Sequence, residues 1–359
     1  TGRVSFATSV VSYFLMLSQL GIPTYGIRAC AKVRDDRRKL SRVVHELMAI
    51  NLVMSLLSYL ALGIFVFAIP RLRAESSLIF IISLTILLNA VGMEWLYKAL
   101  EQYTYITIRS VIFKAIAVVA MLLLIRQQSD YVVYGALTIL AASASNVCNF
   151  VHAHTYIDLF PEEKYNYRQH MKPIFAFFAM SCATVIYTNL DTVMLGFMKD
   201  DVEVGYYTAS VKVKTILVRF VTALSTVLMP RVSYYIEQGM EGKFREVSQK
   251  ALNFVAVVAV PVVVYFTLYA KESILLLSGT EFMGSVVPMQ IIMPTVLFIG
   301  ITNVLGIQIL VPLGKEKEVC ISVIVGAIVD LVINAMCIPQ MASSGAALGT
   351  VIAEFAVLV

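Results

Sequence analysis

Charge is what this chain has least of. Asp, Glu, Lys and Arg make up 14% of its 359 residues, against 59% hydrophobic ones, and the mean hydropathy is +0.82. A water-soluble domain carries about a quarter of its residues charged; one built from this sequence would have no surface to offer water. The chain is therefore expected to be an all-α polytopic membrane protein. Cysteine is also sparse. Cys30, Cys148, Cys182, Cys320 and Cys337 are scattered through apolar segments without metal-ligand spacing, which excludes a disulfide frame and a zinc site and leaves small core residues. The four histidines are too dispersed for a metal cluster, and His152 and His154 read as solvated loop residues. No metal ligand set is expected, and no other cofactor. Neither an initiator Met nor a signal peptide opens the chain. Thr1 falls in mid-pattern and Val359 inside an apolar run, so the expectation is a fragment lacking at least one helix at each end.

What is present is a series of apolar runs of spanning length. They fall at 5–27, 46–69, 77–98, 107–125, 131–151, 173–197, 205–229, 249–270, 286–311 and 319–339, with another beginning near Gly345, giving about 11 transmembrane helices. The Lys and Arg residues of the connecting loops divide unevenly. Alternate loops hold 17 of them, including Arg34–Arg42, Lys243 and Lys315; the intervening loops hold 5, including Lys199 and Lys271. By the positive-inside rule the first set is cytoplasmic.

The segment Tyr206–Met229 departs from this pattern because it carries Lys212, Lys214 and Arg219. Its polar residues Thr208, Lys212, Thr215, Arg219, Thr222 and Thr226 recur at helical spacing and fill a stripe about 80° wide, at roughly 100° per residue. Lys214 is the outlier. A cation in hydrocarbon costs at least about 2.5 kcal/mol, so the stripe is expected to face protein or water. It could line a cavity for an anionic substrate, or its cations could pair with acids on neighbouring helices. Ser181, Thr184, Thr188 and Asp191 share one face of the preceding segment, and Asp191 is expected to reach Lys212 across the hairpin. Glu94 and Lys114 sit at comparable depth and read as an ion pair, with a substrate role for Lys114 the alternative. Glu101, Lys98 and Arg109 lie near the interface, where snorkelling makes charge cheap.

The chain also repeats itself. A shift of 203 residues lays Ser5, Ser9, Ser12 and Gln19 over Thr208, Lys212, Thr215 and Thr222, and each copy runs into a long basic loop. Six helices separate the copies, so both cross in the same sense. That implies two helical lobes forming a parallel pseudo-repeat around a central cavity. The first lobe would be 1–155, the cytoplasmic inter-lobe loop 156–172 with Pro161, Glu162 and Glu163, and the second lobe 173–359.

Several motifs together resemble the bacterial polysaccharide-unit, or O-antigen (Wzx-type), flippases of the multidrug/oligosaccharidyl-lipid/polysaccharide exporter superfamily. They are Ser5-Phe6-Ala7, Leu20-Gly21-Ile22-Pro23-Thr24-Tyr25-Gly26-Ile27-Arg28, Gly92-Met93-Glu94-Trp95-Leu96-Tyr97, Asn189-Leu190-Asp191-Thr192-Val193-Met194-Leu195-Gly196, Val204-Gly205-Tyr206-Tyr207 and Gly314-Lys315-Glu316-Lys317. The resemblance covers nearly the whole chain. It implies a flippase of the bacterial inner membrane that moves undecaprenyl-pyrophosphate-linked oligosaccharide by alternating access, for O-antigen, capsule or exopolysaccharide synthesis. It implies H+ or Na+ as the candidate coupling ion, a polysaccharide polymerase and a chain-length regulator as candidate partners, and no nucleic acid. On this reading Arg219, Lys212, Lys214, Thr215 and Lys114 bind substrate, while Asp191 and Glu94 couple ions or form ion pairs. A pyrophosphate in a low-dielectric cavity needs such positive partners.

Two other classes compete. A multidrug-type cation antiporter of the same superfamily would share the lobes but want an acidic cavity, whereas Lys212, Lys214 and Arg219 outnumber Asp191. A membrane glycosyltransferase or polymerase would need acid pairs or a long external loop. The longest external loop, 271–285, offers Glu272 and Glu281 and no Asp-x-Asp.

Overall fold

A computed structural model describes residues 1–158 and 165–359, with the side chains of all of these except 128, 176, 180, 183, 224–231, 233, 234, 237 and 316. Pro161, Glu162 and Glu163 of the inter-lobe loop, and the side chain of Thr226, lie outside the described residues. The described chain is helical, with no strand. Sixteen α-helices follow in order: α1 Gly2–Gln19, α2 Ile22–Ala31, α3 Arg37–Ala68, α4 Pro70–Ala74, α5 Ser76–Gly92, α6 Glu94–Ala99, α7 Tyr103–Leu124, α8 Tyr131–Ile139, α9 Asn146–His152, α10 Arg168–Met198, α11 Asp201–Glu237, α12 Glu241–Leu268, α13 Ala270–Ser278, α14 Val286–Ile292, α15 Thr295–Thr302 and α16 Glu316–Leu358. Wide-turn π segments follow α8 at Leu140–Ala144 and α15 at Asn303–Leu310.

Each apolar run of the sequence meets a helix, and several helices outrun it. α3 begins at Arg37 because Asp36 caps it, its carboxylate accepting from the backbone N–H groups of Arg38 and Lys39 at 3.2 Å. Other runs are broken. Leu20 and Gly21 take left-handed backbone (φ 45° and 76°) between α1 and α2, and Met93 (φ 41°) separates α5 from α6. Pro294 marks a 46° bend between Thr280–Ile292 and Thr295–Leu310. α16 folds back on itself at Ala342 (φ 49°), so its 43 residues form two arms.

Helix surfaces identify the solvent. The most apolar stretch of α12 has a mean hydropathy of 2.3, yet only 17% of it is buried within the protein, and α7 is alike at 2.1 and 17%. Exposed residues on α7 include Val111, Ile112, Val118, Val119 and Leu122. Water would not tolerate such faces; lipid would. Among the described residues, six helical stretches are long and apolar enough to cross a bilayer singly, and two bent pairs could each add one.

Contacts divide the chain into two units, one comprising residues 7–185 with Thr1 and Arg3, the other 186–359 with Gly2 and Val4–Phe6. The division falls within α10, beyond the 156–172 loop expected from sequence. The first half of α10 packs on the first unit: a Cβ on Gly21 would lie 2.6 Å from the Phe178 nitrogen.

The first unit's core is built where α2 meets α6. Gly26 faces Trp95, whose ring would stand 2.8 Å from any Cβ there, and Ile22, Leu96 and Tyr97 are fully buried around them. Beneath this core lies a satisfied polar knot. Glu46, fully buried, accepts from Arg42 Nε at 3.1 Å, Gln169 Nε2 at 2.9 Å and the Asn166 amide, and pairs with His170 Nε2 at 2.6 Å. His170 Nδ1 meets Tyr25 Oη at 2.8 Å. In the second unit Val221, Ala251, Val255, Val296 and Val304 form the core, and Gly300 seats between Val255 and Val221.

Candidate functional site

In the second unit the two arms of α16 lie antiparallel because glycine lets them. A Cβ on Gly345 would meet the Cys337 carbonyl at 2.5 Å, and one on Gly349 the Asn334 Oδ1 at 2.2 Å. The bend between the arms is tied to the α10–α11 turn, where Lys199 donates to the Pro339 carbonyl (2.8 Å) and the Ser343 amide to Glu203 (3.0 Å). This hairpin carries Asp330, Asn334, Thr350 and Glu354 toward α10 and α11.

Asp191, on α10, is 6% exposed. Its carboxylate accepts from Tyr207 Oη and, at 2.5 Å, from Asn334 Nδ2; the Thr350 hydroxyl lies 3.1 Å from it and 3.0 Å from the Ala346 carbonyl, with one proton to give. Every one of these donors is neutral. Asp330 is 1% exposed, and among the described residues no donor meets either of its carboxylate oxygens or Asn334 Oδ1. The two residues converge: a Cβ on Gly349 would touch Asn334 Oδ1 at 2.2 Å and Asp330 Oδ1 at 3.3 Å. Unpaired buried oxygens cost about 1–3 kcal/mol each. Carboxylate, amide and hydroxyl oxygens brought this close together suit a proton or a hard cation. Among the described residues, no three His, Cys, Asp or Glu side chains converge as a metal centre.

These acids border a cavity of about 410 Å³, lined also by Tyr187, Thr188, Lys214, Thr215, Arg219, Ile299 and Glu354. Glu354 is 7% exposed and neighbours Tyr187. Lys214 attracts both Asp330 and Glu354. The cavity therefore combines two bases with three buried acids.

Placement of the sequence candidates follows from the rotation of α11. Tyr207, Val211, Lys214, Thr215, Val218 and Arg219 line the cavity. At 100° per residue this arc is centred about 50° from the expected stripe. It keeps Thr215 and Arg219, takes in Lys214, and leaves Lys212 exposed outside the lining. The expected Asp191–Lys212 pair is absent; Tyr207, Asn334 and Thr350 occupy the carboxylate. In the first unit, Glu94 pairs with Lys98 one turn on (2.8 Å) in place of Lys114, which sits exposed on α7. Glu101 pairs with Arg34 at 2.9 Å. Arg109 does not snorkel: it is 7% exposed, its Nη2 is 3.5 Å from Asn146 Oδ1, and its guanidinium carbon lies 6.0 Å from the Tyr105 ring centre. His152 is stacked on Tyr105, ring centres 4.5 Å apart, in place of being solvated.

Sequence reading passed over Asp330, Asn334 and Glu354, and with them the acid majority of the cavity. A signal existed. Asp330 and Asn334 are four apart, on one face of an otherwise apolar run, and an acid inside a membrane segment is a functional candidate by default.

A multi-pass helical bundle that gathers buried acids and two less buried bases around a cavity belongs to the class of membrane transporters. The chain matches the family model "Polysaccharide biosynthesis protein" over residues 1–236 and the MatE model over 176–336. It belongs to the polysaccharide biosynthesis protein family. Among curated relatives, it is 19% identical over 321 residues to the "Putative O-antigen transporter" of Escherichia coli (strain K12), covering 88% of this chain and 77% of that one. A protein of the same name from Shigella dysenteriae is 23% identical over 252 residues, 68% of this chain and 61% of the relative. Its fold is similar to that of the lipid II flippase MurJ in an inward closed conformation (TM-score 0.71, 16% identity, 99% of this chain and 79% of that chain). It is likewise similar to an inward-facing multidrug resistance MATE family transporter of the MOP superfamily (TM-score 0.74, 12% identity, 99% and 87%).

Proposed function

We propose that this protein moves undecaprenyl-pyrophosphate-linked oligosaccharide units across the bacterial inner membrane by alternating access, for O-antigen, capsule or exopolysaccharide synthesis. One observation carries the reading: Arg219, Lys214 and Thr215 share a cavity with three buried acids. Arg219 takes the pyrophosphate, because guanidinium is weakly hydrated, always charged and grips phosphate oxygens two at a time. Thr215 and Thr188 offer hydroxyls to sugar. Asp191, Asp330, Asn334 and Thr350 hold the coupling ion, H+ or Na+, which supplies the positive charge their oxygens lack. A polysaccharide polymerase and a chain-length regulator are the partners that would consume the exported unit.

The test is genetic and chemical. Deleting the gene in its host is expected to leave a lipid-linked oligosaccharide on the cytoplasmic leaflet. Arg219→Ala is expected to reproduce that accumulation, and Arg219→Lys to reduce polymer sharply at normal expression and thermal stability. A well-folded Arg219→Ala protein that still exports polymer at the wild-type rate would end this assignment. The acid majority favours a second reading, export of organic cations by antiport. That reading requires dye efflux from cells expressing the protein, lost in Asp330→Asn.

A further inference from the structure

Lys214 lines the cavity together with the acids, Thr215 and Arg219. It neighbours Thr215 on α11 and lines the same cavity as Asp330 and Glu354, whose negative charge it offsets, and among the described residues it forms no salt bridge with either. Asp191, by contrast, is occupied by neutral donors. The titratable groups around the ammonium are Tyr187 and Asp191 from α10, Tyr207 and Arg219 from its own helix, and Asp330 and Glu354 from the arms of α16. Arg219 lies about 7.5 Å further along α11, at 1.5 Å per residue. A lysine ammonium is a compact charge on a flexible four-carbon stem, so one side chain can serve both ends of this space.

We propose that Lys214 is a positioning residue that competes with the coupling cation for Asp330 and Glu354. When a proton or Na+ enters among Asp330, Asn334 and Asp191, the ammonium loses its counter-charge and turns toward Arg219. The cavity then presents two cations to an anionic headgroup. Cation and headgroup therefore bind with positive linkage, and linkage is reciprocal: each raises the affinity of the other by the same factor. The inference rests on the acids being the coupling-ion site, as proposed above, and adds the residue that connects that site to the substrate.

The experiment uses the purified full chain in nanodiscs, with Na+ exchanged for choline at constant ionic strength between pH 6 and 9. Thermal stabilisation reads cation binding, and farnesyl pyrophosphate is the headgroup probe. For wild type, the cation is expected to tighten probe binding about 5-fold or more. Lys214→Gln removes the competing charge. Its stabilisation midpoint should fall about tenfold in Na+, or shift to higher pH by about one unit where the proton is the cation. Its probe affinity should become cation-independent. Lys214→Arg keeps the charge and should keep the wild-type midpoint, which separates charge from packing. An unchanged midpoint in Lys214→Gln, while Asp330→Asn loses the response, overturns the role of Lys214 alone. A wild-type response retained in Asp330→Asn overturns the ion site and this inference together, as does a wild type that responds to neither Na+ nor pH.

Discussion

Gly349→Ala adds one methyl group where the hairpin of α16 has no room for it. The new Cβ would lie 2.2 Å from Asn334 Oδ1, 2.9 Å from its Cγ and 3.3 Å from Asp330 Oδ1. A carbon and an oxygen in ordinary contact stay about 1 Å further apart than the first of these. Asn334 is fully buried and holds Asp191 through its Nδ2, so it cannot turn aside without giving up that bond. Overpacking a core by a methyl costs about 1–3 kcal/mol, and a hydrogen bond to a charged group is worth about 1.5–3. The two overlap in one displacement, so the expected loss is about 2–5 kcal/mol. At roughly 2–4 °C per kcal/mol for a unit of this size, the melting temperature should fall by about 4–20 °C. Fluorescence-detected size-exclusion after heating measures it. Stabilisation by Na+ or by low pH should weaken too, because the oxygens that shift are those of the proposed ion site. The control is Gly63→Ala, toward the C-terminal end of α3 with nothing within 4 Å; it should be neutral, or stabilising by up to about 1 kcal/mol. A Gly349→Ala protein with the melting temperature and ion response of wild type would refute the account of the hairpin.

Topology is checked with single cysteines and an impermeant reagent: Lys243 and Lys315 positions should stay unlabelled in intact cells and Lys199 and Lys271 positions should label. Labelling at 243 would invert the orientation. Around Asp191, Tyr207→Phe should depend strongly on Asp191→Asn in a double-mutant cycle of thermal stability, since the two residues share a hydrogen bond. Lys212→Gln should be additive with Asp191→Asn; coupling there would restore the pair expected from sequence. Outside the membrane segments, the Lys39 ammonium and the Arg38 and Lys39 amides hold Asp36 below the usual carboxylate range. A depressed carboxylate adds stability above its unfolded value and loses it as pH falls through the folded one. The cap on α3 should therefore weaken in acid below about pH 4, and Asp36→Asn should remove most of that dependence in a pH series of melting temperatures.

The elements were legible because a bilayer allows few answers. Long apolar runs in a chain with so little charge must be helices, and every run found one. Breaks within the runs were harder to see. Gly21 and Pro294 are ordinary punctuation, but Met93 and Ala342 hold left-handed backbone without being glycine, and only packing on both sides can impose that. The motifs that carry the family resemblance proved to be contacts: Gly26 and Trp95, far apart in sequence, meet face to face in the core of the first unit.

The site was legible in kind and displaced in detail. Periodicity placed polar residues on one side of α11, and Thr215 and Arg219 are there. It could not fix which side of that arc faces the cavity, because Tyr207 and Lys214 on one edge and Lys212 on the other satisfy the same spacing. What sets the rotation is the partner surface, and that surface is made of Asp330 and Glu354, some 120 residues downstream.

That partner surface also decides the charge balance. With every group ionised, Asp191, Asp330 and Glu354 exceed Lys214 and Arg219 by one negative charge in a cavity walled by apolar helices. Buried charge that no partner meets is expensive, and the neutral donors around Asp191 lower its cost without cancelling its charge. A single monovalent cation or a proton balances the cavity; an anionic headgroup arriving alone makes the imbalance worse. The order of events that electrostatics favours is thus cation first, headgroup second. A cavity lined by Arg219 and Lys212 without these acids would carry no negative excess. On the proposed function, it is the acids of the hairpin that make the binding of substrate conditional.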